Sequence, residues 1–534
     1  MSSPSFWLML GAAGVVSARL LWVRLLAYLR YFQQEGYEHL RFLKWANVRS
    51  LTDPGFWLAV GAWWLTARRP WLAGLAFVAG GLALARLQPD PRRSGKIPLR
   101  LTWRATRVLT IAAAFAALLW VALILVYWTG LLRPVFTVAA ILLAAVPLLL
   151  VAANAGLIPY EQYVQKRYEA EAAHAVREMR PFIIGITGSY GKSSTKAILA
   201  HILQFHAPTL AATGSINTIM GVTRHIREEL VPGHRYMVVE MGAFKTGSIR
   251  RLCQLTPPSA AIITAVGDMH LERFGSLDAI VAAKSELVDA LPDEGLLVVN
   301  ADSPAALTIA RRTPKRCVLL YGETSTEDLA TRLEDVRFSP HGTSFVLRTK
   351  ARTYQCFTPL HGRPIVLNLA GAFTLAAAVG VDPDVMVAAL GTLKPVSNRL
   401  EVVEEKGVTW IRDAYNSNQF GFRAALEVAG ALPAKRRFLA TPGVIELGAS
   451  QAEVNRTLSR EAAAVCDATL VVAETNREAF VAGHKDAGRE ARLVPVEGRK
   501  EAFEWLKAHV ADGDAVILEN DLPDLYEGAT GVFW

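Results

Sequence analysis

The chain has 534 residues, a formal net charge of +9 and four cysteines, and this length predicts two or three domains. The first 160 residues carry 16 Lys and Arg against 4 Asp and Glu, whereas the remaining residues carry 41 and 44. No basic stripe runs through the second part, which excludes nucleic acid as a partner, and the cysteines form no Cys-x-x-Cys pair, which excludes a structural zinc site and a disulfide framework.

Residues 1–160 are predicted to form an α-helical transmembrane region of about five helices. Apolar stretches lie at about 5–26, 54–67, 70–86, 108–129 and 134–157. A membrane-spanning helix needs roughly 20 apolar residues, and the fourth and fifth stretches meet that length. The second and third are short and predict a tight hairpin or a partly re-entrant pair. Arg19 and Arg24 in the first stretch are expected to reach the membrane surface from the inner end of their helix.

Basic residues in two loops orient these helices. Segments 27–53 and 86–107 hold four and seven Lys or Arg, and the other links hold three in total. By the positive-inside rule the two rich loops are cytoplasmic, so five crossings leave the chain after Pro159 inside the cell. We therefore expect a multi-pass protein of the inner (cytoplasmic) membrane with a cytoplasmic catalytic part. No basic lead precedes the first apolar run, so a cleaved signal peptide is not expected.

The rest of the chain is predicted to hold a linker helix (161–180) and two α/β domains (181–395 and 396–534). Short apolar runs alternate with helical stretches, as buried parallel strands do in an α/β sheet. Residues 316–360 are strand-rich and predict a small antiparallel sheet, and a helical pair follows at about 365–392. The second domain is predicted to be Rossmann-like. Its strands are expected near 408–412, 437–441, 468–473 and 514–519.

A phosphate-binding loop is predicted between the strand at 182–186 and a helix that starts near residue 195. Glycines allow backbone N–H groups to turn towards phosphates, and a helix N-terminus favours their negative charge. Lys192 would reach the β- and γ-phosphates of ATP, and the Ser193 hydroxyl would bind Mg²⁺. Ile186 stands where the common P-loop pattern has its first glycine. The predicted ATP-binding residues of this loop are Gly188, Ser189, Gly191, Lys192, Ser193 and Ser194.

The stretch Thr187–Ser194 resembles the ATP loop of the Mur ligases, and the likeness continues through residues 180–534. It is closest to the branch that adds D-alanyl-D-alanine to a UDP-N-acetylmuramoyl tripeptide, here in a membrane-anchored variant. The resemblance implies an ATP-dependent ligase that joins an amino acid or dipeptide to a carboxylate acceptor through an acyl phosphate. It also implies a role in the synthesis of peptidoglycan or a related envelope polymer.

The resemblance assigns the metal and substrate residues. Glu240 ends an apolar strand in a Glu-Met-Gly-Ala stretch, and it matches a magnesium ligand of the family. His270 matches the ligand of a second Mg²⁺, and Lys284 matches a lysine that is carbamylated by CO₂ and thereby turned into an anion near that metal. Asn217 matches a loop on the substrate side, where Thr218 replaces the second of two asparagines typical of the branch.

The second face of the ATP site is predicted from the C-terminal domain. Arg399 matches the family arginine that reaches the ATP phosphates, and it is assigned a catalytic role together with Lys192, His270 and Lys284. Asp413, Asn416 and Asn418 match the segment beside the nucleotide, with Ala414 in place of the usual serine.

Two departures from the family concern substrate recognition. The uridine-sugar-binding N-terminal domain is replaced by the membrane part, which motivates the hypothesis of a lipid-linked acceptor. After the last strand, Glu519–Asp524 replaces a Lys-Gly-Ser-Arg-type end. Two alternatives stay open: a poly-γ-glutamate-type polymer synthase, and a membrane ATP-binding scaffold without ligase activity.

Overall fold

The computed structural model describes residues 4–50, 53–66, 70–88, 90–93, 98–128, 136–243, 245–267, 274–312, 317–395, 398–414, 418–445 and 447–520. The chain divides into two compact units, Met1–Gln165 and Lys166–Leu522.

The described part of the first unit is built from helices. These are α1 (Pro4–Gln34), α2 (His39–Ser50), α3 (Pro54–Thr66), α4 (Pro70–Leu87), α5 (Trp103–Trp128) and α6 (Phe136–Met179). All five predicted apolar stretches are helical, and α2 was not predicted. Judged by length and composition alone, three of the described helices could cross a membrane: Gly11–Gln34, Trp103–Val126 and Phe136–Met179. Membrane crossing stays a prediction for all five spans.

The predicted linker helix at 161–180 is not a separate element. It continues α6, which passes through Pro147 and Pro159 without a break. Residues 161–179 are rich in Glu, Ala, Lys and Arg, which are strong helix formers. The loss of apolar character after Pro159 therefore does not end the helix.

Arg24 does not reach the surface, contrary to the expectation from its position in an apolar run. The residue is 4% exposed, and its Nη1 lies 2.7 Å from Oδ1 of Asp53. The same Asp53 oxygen accepts the backbone N–H of Phe56 (2.7 Å) in the first turn of α3. A buried guanidinium is tolerated when a carboxylate offsets its charge. The pairing was not predicted because Arg24 and Asp53 are far apart in sequence.

The second unit contains a nine-stranded sheet. Its strands are β1 (Phe182–Thr187), β2 (Thr209–Ala211), β3 (Tyr236–Glu240), β4 (Ala260–Ile263), β5 (Leu296–Asn300), β6 (Cys317–Gly322), β7 (Thr331–Ser339), β8 (Gly342–Thr349) and β9 (Thr353–Thr358). The order is β2-β3-β1-β4-β5-β6-β7-β8-β9, parallel as far as β7 and antiparallel from β7 to β9. The strands at 331–358 are antiparallel to one another, as predicted, but they extend the parallel sheet and do not form a sheet of their own.

Helices cover both faces of this sheet. They are α7 (Lys192–Gln204), α8 (Ile219–Glu229), α9 (Ser248–Leu255), α10 (Leu277–Asp289), α11 (Pro304–Arg311), α12 (Arg363–Ala378) and α13 (Pro383–Leu390). Side chains of β1 alternate between the two cores. Ile184 and Ile186 pack with α7, α12 and α13, and Ile183 packs with α8 to α11. Because both faces are buried, each parallel strand is a continuous apolar run.

A second sheet follows in the same unit. Its strands are β10 (Glu401–Glu405), β11 (Val408–Asp413), β12 (Arg437–Thr441), β13 (Ala468–Val472), β14 (Leu493–Val496) and β15 (Ala515–Glu519). The order is β10-β11-β15-β12-β13-β14, and only the β10–β11 pair is antiparallel. The flanking helices are α14 (Gln419–Ala431), α15 (Gln451–Val465), α16 (Arg477–Asp486) and α17 (Arg499–His509). The predicted α/β class and four predicted strands are confirmed, and β10 and β14 were missed.

Candidate active site

The predicted phosphate loop connects β1 to α7. Gly191, directly before α7, has a φ of +80°, and a Cβ added there would lie 2.5 Å from the Asn368 side chain. Glycine is required at this position because a side chain would meet both an unfavourable backbone conformation and a steric clash. Ser189 Oγ donates to the carbonyl of Gly267 and accepts its N–H, both at 3.0 Å. The loop is therefore held against the segment that follows β4.

Two lysines converge on the loop. Lys192 Nζ donates to the carbonyl oxygens of Gly188 (2.9 Å) and Ser189 (3.2 Å). Lys284 Nζ, from α10, donates to the same Gly188 oxygen at 2.8 Å. Burial lowers the pKa of both ammonium groups. The nearby charge of Lys192 lowers the pKa of Lys284 further, so it lies well below its usual value. The buried Lys284 ammonium group thus loses its proton more easily than that of an exposed lysine.

Glu240 is the centre of a polar cluster at the carboxyl ends of β1 and β3. The two strands are parallel neighbours, with Glu240 in register with Ile186. Ser193 Oγ donates to Glu240 Oε2 at 2.8 Å, and Asn217 Nδ2 donates to Oε1 at 3.2 Å. Glu240 is only 2% exposed. The sequence thus predicted three residues, Ser193, Asn217 and Glu240, that meet in the structure.

Lys196 belongs to this cluster and was missed. Its Nζ lies 3.5 Å from Glu240 Oε2, with both side chains at most 3% exposed, and it also donates to the carbonyl of Gly214. Lys196 lies one turn after Lys192 on α7, and the sequence alone suggested an ordinary lysine on a helix surface. Its spacing of four residues from Lys192 could have indicated a place near the phosphate loop, because positions i and i+4 share one face of a helix.

The hydroxyl and carboxylate oxygens of this cluster are suitable ligands for a magnesium ion. The Ser193 hydroxyl and the Glu240 carboxylate are hard oxygen ligands, and the Ser215 hydroxyl lies 3.1 Å from Ser193 Oγ. Mg²⁺ is typically held by one or two protein oxygens together with waters and substrate phosphates. Among the described residues, no three His, Cys, Asp or Glu side chains cluster as a metal site. His270, predicted to bind a second ion, lies outside the described residues.

The C-terminal domain contributes Arg399 to the same place. Its Nη2 donates to Ser215 Oγ at 3.1 Å, so a chain of contacts runs from Arg399 through Ser215 and Ser193 to Glu240. The Tyr190 and Phe420 rings, with centroids 5.3 Å apart, form a second contact between the two domains. Arg399 therefore lies beside the phosphate loop although more than 200 residues separate the two in sequence.

The remaining predicted nucleotide residues have distinct surroundings. Asp413 Oδ1 accepts the N–H of Leu400 at 3.2 Å. Burial raises the pKa of Asp413 to about 6, against the opposing effects of that hydrogen bond and of Arg399. Asn418 caps α14, where its Oδ1 accepts the N–H groups of Phe420 and Gly421 at 3.0 Å each. Ser194 lies in the first turn of α7, and Asn416 lies outside the described residues.

Comparison with known proteins identifies the origin of this arrangement. Residues 186–376 match the model of the Mur ligase middle domain, and residues 398–519 match that of the Mur ligase, glutamate ligase domain. The chain is similar to the UDP-N-acetylmuramoyl-tripeptide–D-alanyl-D-alanine ligases of Escherichia coli (33% identity) and Mycobacterium tuberculosis strain CDC 1551 / Oshkosh (32% identity). The alignments cover 52% and 63% of this chain, and 62% and 70% of those relatives.

A solved structure has the same fold. The MurF ligase from Thermotoga maritima in complex with ADP superposes with a TM-score of 0.61 at 24% identity, over 68% of this chain and 81% of that one. Both family matches and the fold agree on the part of the chain that carries the phosphate loop and Arg399. The chain therefore belongs to the Mur ligase family of ATP-dependent ligases, which form carbon–nitrogen bonds.

Proposed function

We propose that the chain is a membrane-anchored ligase that uses ATP to join an amino acid or dipeptide to the carboxylate of a cell-wall precursor. The observation that carries the proposal is the contact chain from Arg399 to Glu240 beside the Lys192 loop. It brings charged and hydroxyl groups of two domains to one place, as a phosphoryl transfer requires. The names of the relatives favour D-alanyl-D-alanine as the amine and a UDP-N-acetylmuramoyl tripeptide as the acceptor.

ATP phosphates would be bound by the loop residues Gly188 to Ser194. Lys192 would exchange its contacts with the Gly188 and Ser189 carbonyls for the β- and γ-phosphates. Arg399 would offer the transferring group a bidentate donor. Asp413, Asn416 and Asn418 are proposed to lie beside the nucleoside, where the Asn418 Nδ2 remains available while its oxygen caps α14.

Magnesium would be held by Ser193 and Glu240. When bound there, Mg²⁺ neutralises phosphate charge that develops during transfer. A second ion is proposed near His270 and Lys284. Lys284 fits a carbamylation site because burial and the charge of Lys192 lower the pKa of its amine, which makes the neutral, nucleophilic form easier to reach. The carbamate nitrogen would keep one N–H, which could still donate to the Gly188 carbonyl.

The reaction would proceed in two displacements. An acceptor carboxylate oxygen attacks the γ-phosphorus of ATP, the bond to the bridging oxygen breaks, and ADP leaves with that electron pair. The amine then attacks the carbonyl carbon of the acyl phosphate, loses a proton and expels inorganic phosphate. Lys192 and Arg399 would stabilise the transferring phosphoryl charge, mainly by positioning and electrostatics.

Arg399 would couple catalysis to the approach of the two domains. It is contributed by the C-terminal domain and contacts Ser215, which belongs to the same loop as Asn217 on the proposed substrate side. Substrate that orders this loop would thereby favour the position of Arg399 that reaches the phosphates. Such closure excludes water from the reactive acyl phosphate.

The membrane part is proposed to anchor the enzyme in the inner (cytoplasmic) membrane with the ligase part in the cytoplasm. Three helices of sufficient length and the basic loops support this topology. An acceptor linked to a lipid is proposed because the membrane part takes the place of the uridine-sugar domain. Full activity of the fragment 175–534 on a soluble UDP-linked tripeptide would argue against a lipid-linked acceptor.

The test is ADP release by the full chain in membranes, with Lys192→Ala compared with Lys500→Ala. Lys500 is 91% exposed and serves as the matched control. Lys192→Ala should abolish turnover, while Lys500→Ala should leave it unchanged. Persistent ADP release in Lys192→Ala would remove the phosphate loop from the mechanism. Stimulation by glutamate in place of D-alanyl-D-alanine would select the polymer synthase, and no stimulation by any amine would select the scaffold.

A further inference from the structure

Three helices of the first unit bring polar side chains together. Arg104 in α5 donates from Nη2 to Asn154 Oδ1 in α6 at 3.1 Å. Asn154 is 2% exposed, and its Nδ2 lies 2.8 Å from Nε2 of His39, the first residue of α2. Because the amide oxygen faces the guanidinium, the amide nitrogen donates to His39. Nε2 of His39 is then the acceptor of this hydrogen bond.

The direct contacts of Arg104 are with neutral groups, and its side chain is partly exposed. Its guanidinium carbon lies 4.1 Å from the centre of the Tyr37 ring, and its Nε is buried without a hydrogen-bond partner. In the part of the chain that the structure describes, no carboxylate lies within ion-pair distance of Arg104. By contrast, Arg107 pairs with Glu161 at 2.6 Å, and Arg24 pairs with Asp53.

This difference points to an anion. An Arg side chain whose Nε is buried without an acceptor is unfavourable, and the bundle supplies a counter-charge to Arg24 and to Arg107. Tyr37, whose ring lies against the Arg104 guanidinium, also has an unusual backbone conformation, with a left-handed φ of +65°. Bulky residues rarely adopt this conformation, and such outliers cluster at binding sites.

The surrounding aromatic residues indicate the depth of the cluster. Trp103 begins α5 directly before Arg104 and is 84% exposed, while Tyr160 and Tyr163 on α6 are 52% and 67% exposed. Trp and Tyr are enriched where membrane meets water, at the level of the lipid headgroups. An anion at this depth is most simply the phosphate of a lipid.

We propose that Arg104, positioned by Asn154, His39 and Tyr37, binds the phosphate group of a membrane lipid. The proposal rests on the membrane placement given under the proposed function, and it names a contact by which a lipid-linked acceptor is held. A carrier lipid of the acceptor and an ordinary anionic phospholipid share this chemistry. Arg104 offers them a fork of N–H donors of the kind that binds phosphate.

The experiment is lipid binding to the full chain in detergent, followed by native mass spectrometry. The lipids are phosphatidylglycerol, a polyprenyl monophosphate and diacylglycerol, which has no phosphate. We expect both phosphate lipids to bind more tightly than diacylglycerol, and Arg104→Gln to weaken them by roughly tenfold or more, as for loss of a charged hydrogen bond. Arg92→Gln is the control, because Arg92 lies in the segment that precedes α5 and pairs with Asp90. Its lipid binding should equal that of the unaltered chain.

Each outcome decides the proposal. Preference for the polyprenyl phosphate identifies a carrier lipid, and equal binding identifies a general phospholipid site. Equal lipid binding by Arg104→Gln and the unaltered chain overturns the proposal, as does displacement of the lipids by inorganic phosphate alone. Arg104→Lys keeps the charge and should retain part of the binding, so misfolding of the Gln variant would not hide the answer. ADP release measured on the same samples with the UDP-linked and the lipid-linked tripeptide tests the ligase separately.

Discussion

Replacing Lys196 by Met tests how much the buried Lys196–Glu240 ion pair contributes to the free energy of unfolding. At 3.5 Å, the attraction between the two charges is about 5 kcal/mol at an effective dielectric constant of about 20. Burial opposes it, because the pKa of Lys196 is lowered by desolvation despite the favourable effect of Glu240. Removing one partner of a buried ion pair typically lowers the free energy of unfolding by about 3–5 kcal/mol. Glu240 keeps hydrogen bonds from Ser193 and Asn217, so we expect the lower end of that range.

The assay is thermal unfolding of the full chain in detergent, with and without Mg²⁺. A loss of about 3 kcal/mol corresponds to a fall in Tm of roughly 6–12 °C for a domain of this size. Mg²⁺ should raise the Tm of Lys196→Met more than that of the unaltered chain, because the ion replaces the missing positive charge beside Glu240. Lys435→Met is the control, since Lys435 and its partner Asp512 are 72% and 83% exposed, and surface pairs contribute little.

Two results would refute this reasoning. One is an equal fall in Tm for Lys196→Met and Lys435→Met, which would show that burial of the Lys196–Glu240 pair does not matter. The other is a Mg²⁺-induced rise that is the same in Lys196→Met and the unaltered chain. That result would separate Glu240 from the metal site.

Three further predictions concern the nucleotide side. Asp413 has a raised pKa of about 6, so it is ionised above that pH and neutral below it. The KM for ATP should therefore rise as pH falls through about 6, and Asp413→Asn should show a raised KM without this pH dependence in steady-state assays. Gly191→Ala should abolish ATP binding, measured by calorimetry, because of its positive φ and the Asn368 contact. Gly233→Ala should not, since Gly233 has a positive φ but no atom within 4 Å of an added Cβ. Asn418→Ala removes the cap of α14 and should lower stability by about 1 kcal/mol, which thermal unfolding would detect as a small fall in Tm.

The site was predictable where the chemistry is local. Strand, glycines and helix follow one another around Lys192, and parallel neighbours end at the same edge of a sheet, which brings Glu240 to Ser193. Lys196 was not predictable in this way, because its burial depends on the loop that carries Gly214. The role of Asn418 as a helix cap likewise depends on where α14 begins, which the sequence pattern leaves uncertain by a few residues.

The fold was predictable in class and less so in its connections. Apolar runs identify the central parallel strands, but the same pattern cannot tell that β7 pairs with β6 and joins 331–358 to the parallel sheet. The strand β14 was hidden by its length of four residues and by its internal Pro495, and the half-exposed β10 lacks an apolar run that would reveal it. Arg24 shows the same limit in the helical unit, since its counter-ion Asp53 is distant in sequence.

The acyl-phosphate step is tested most directly by isotope transfer. The reacting carboxylate of the acceptor is labelled with ¹⁸O in a UDP-linked and in a lipid-linked N-acetylmuramoyl tripeptide, and each is incubated with ATP, Mg²⁺, D-alanyl-D-alanine and the full chain in membranes. One labelled oxygen should appear in the inorganic phosphate for each amide bond formed, detected by mass spectrometry. Amide formation with unlabelled phosphate would contradict the proposed mechanism.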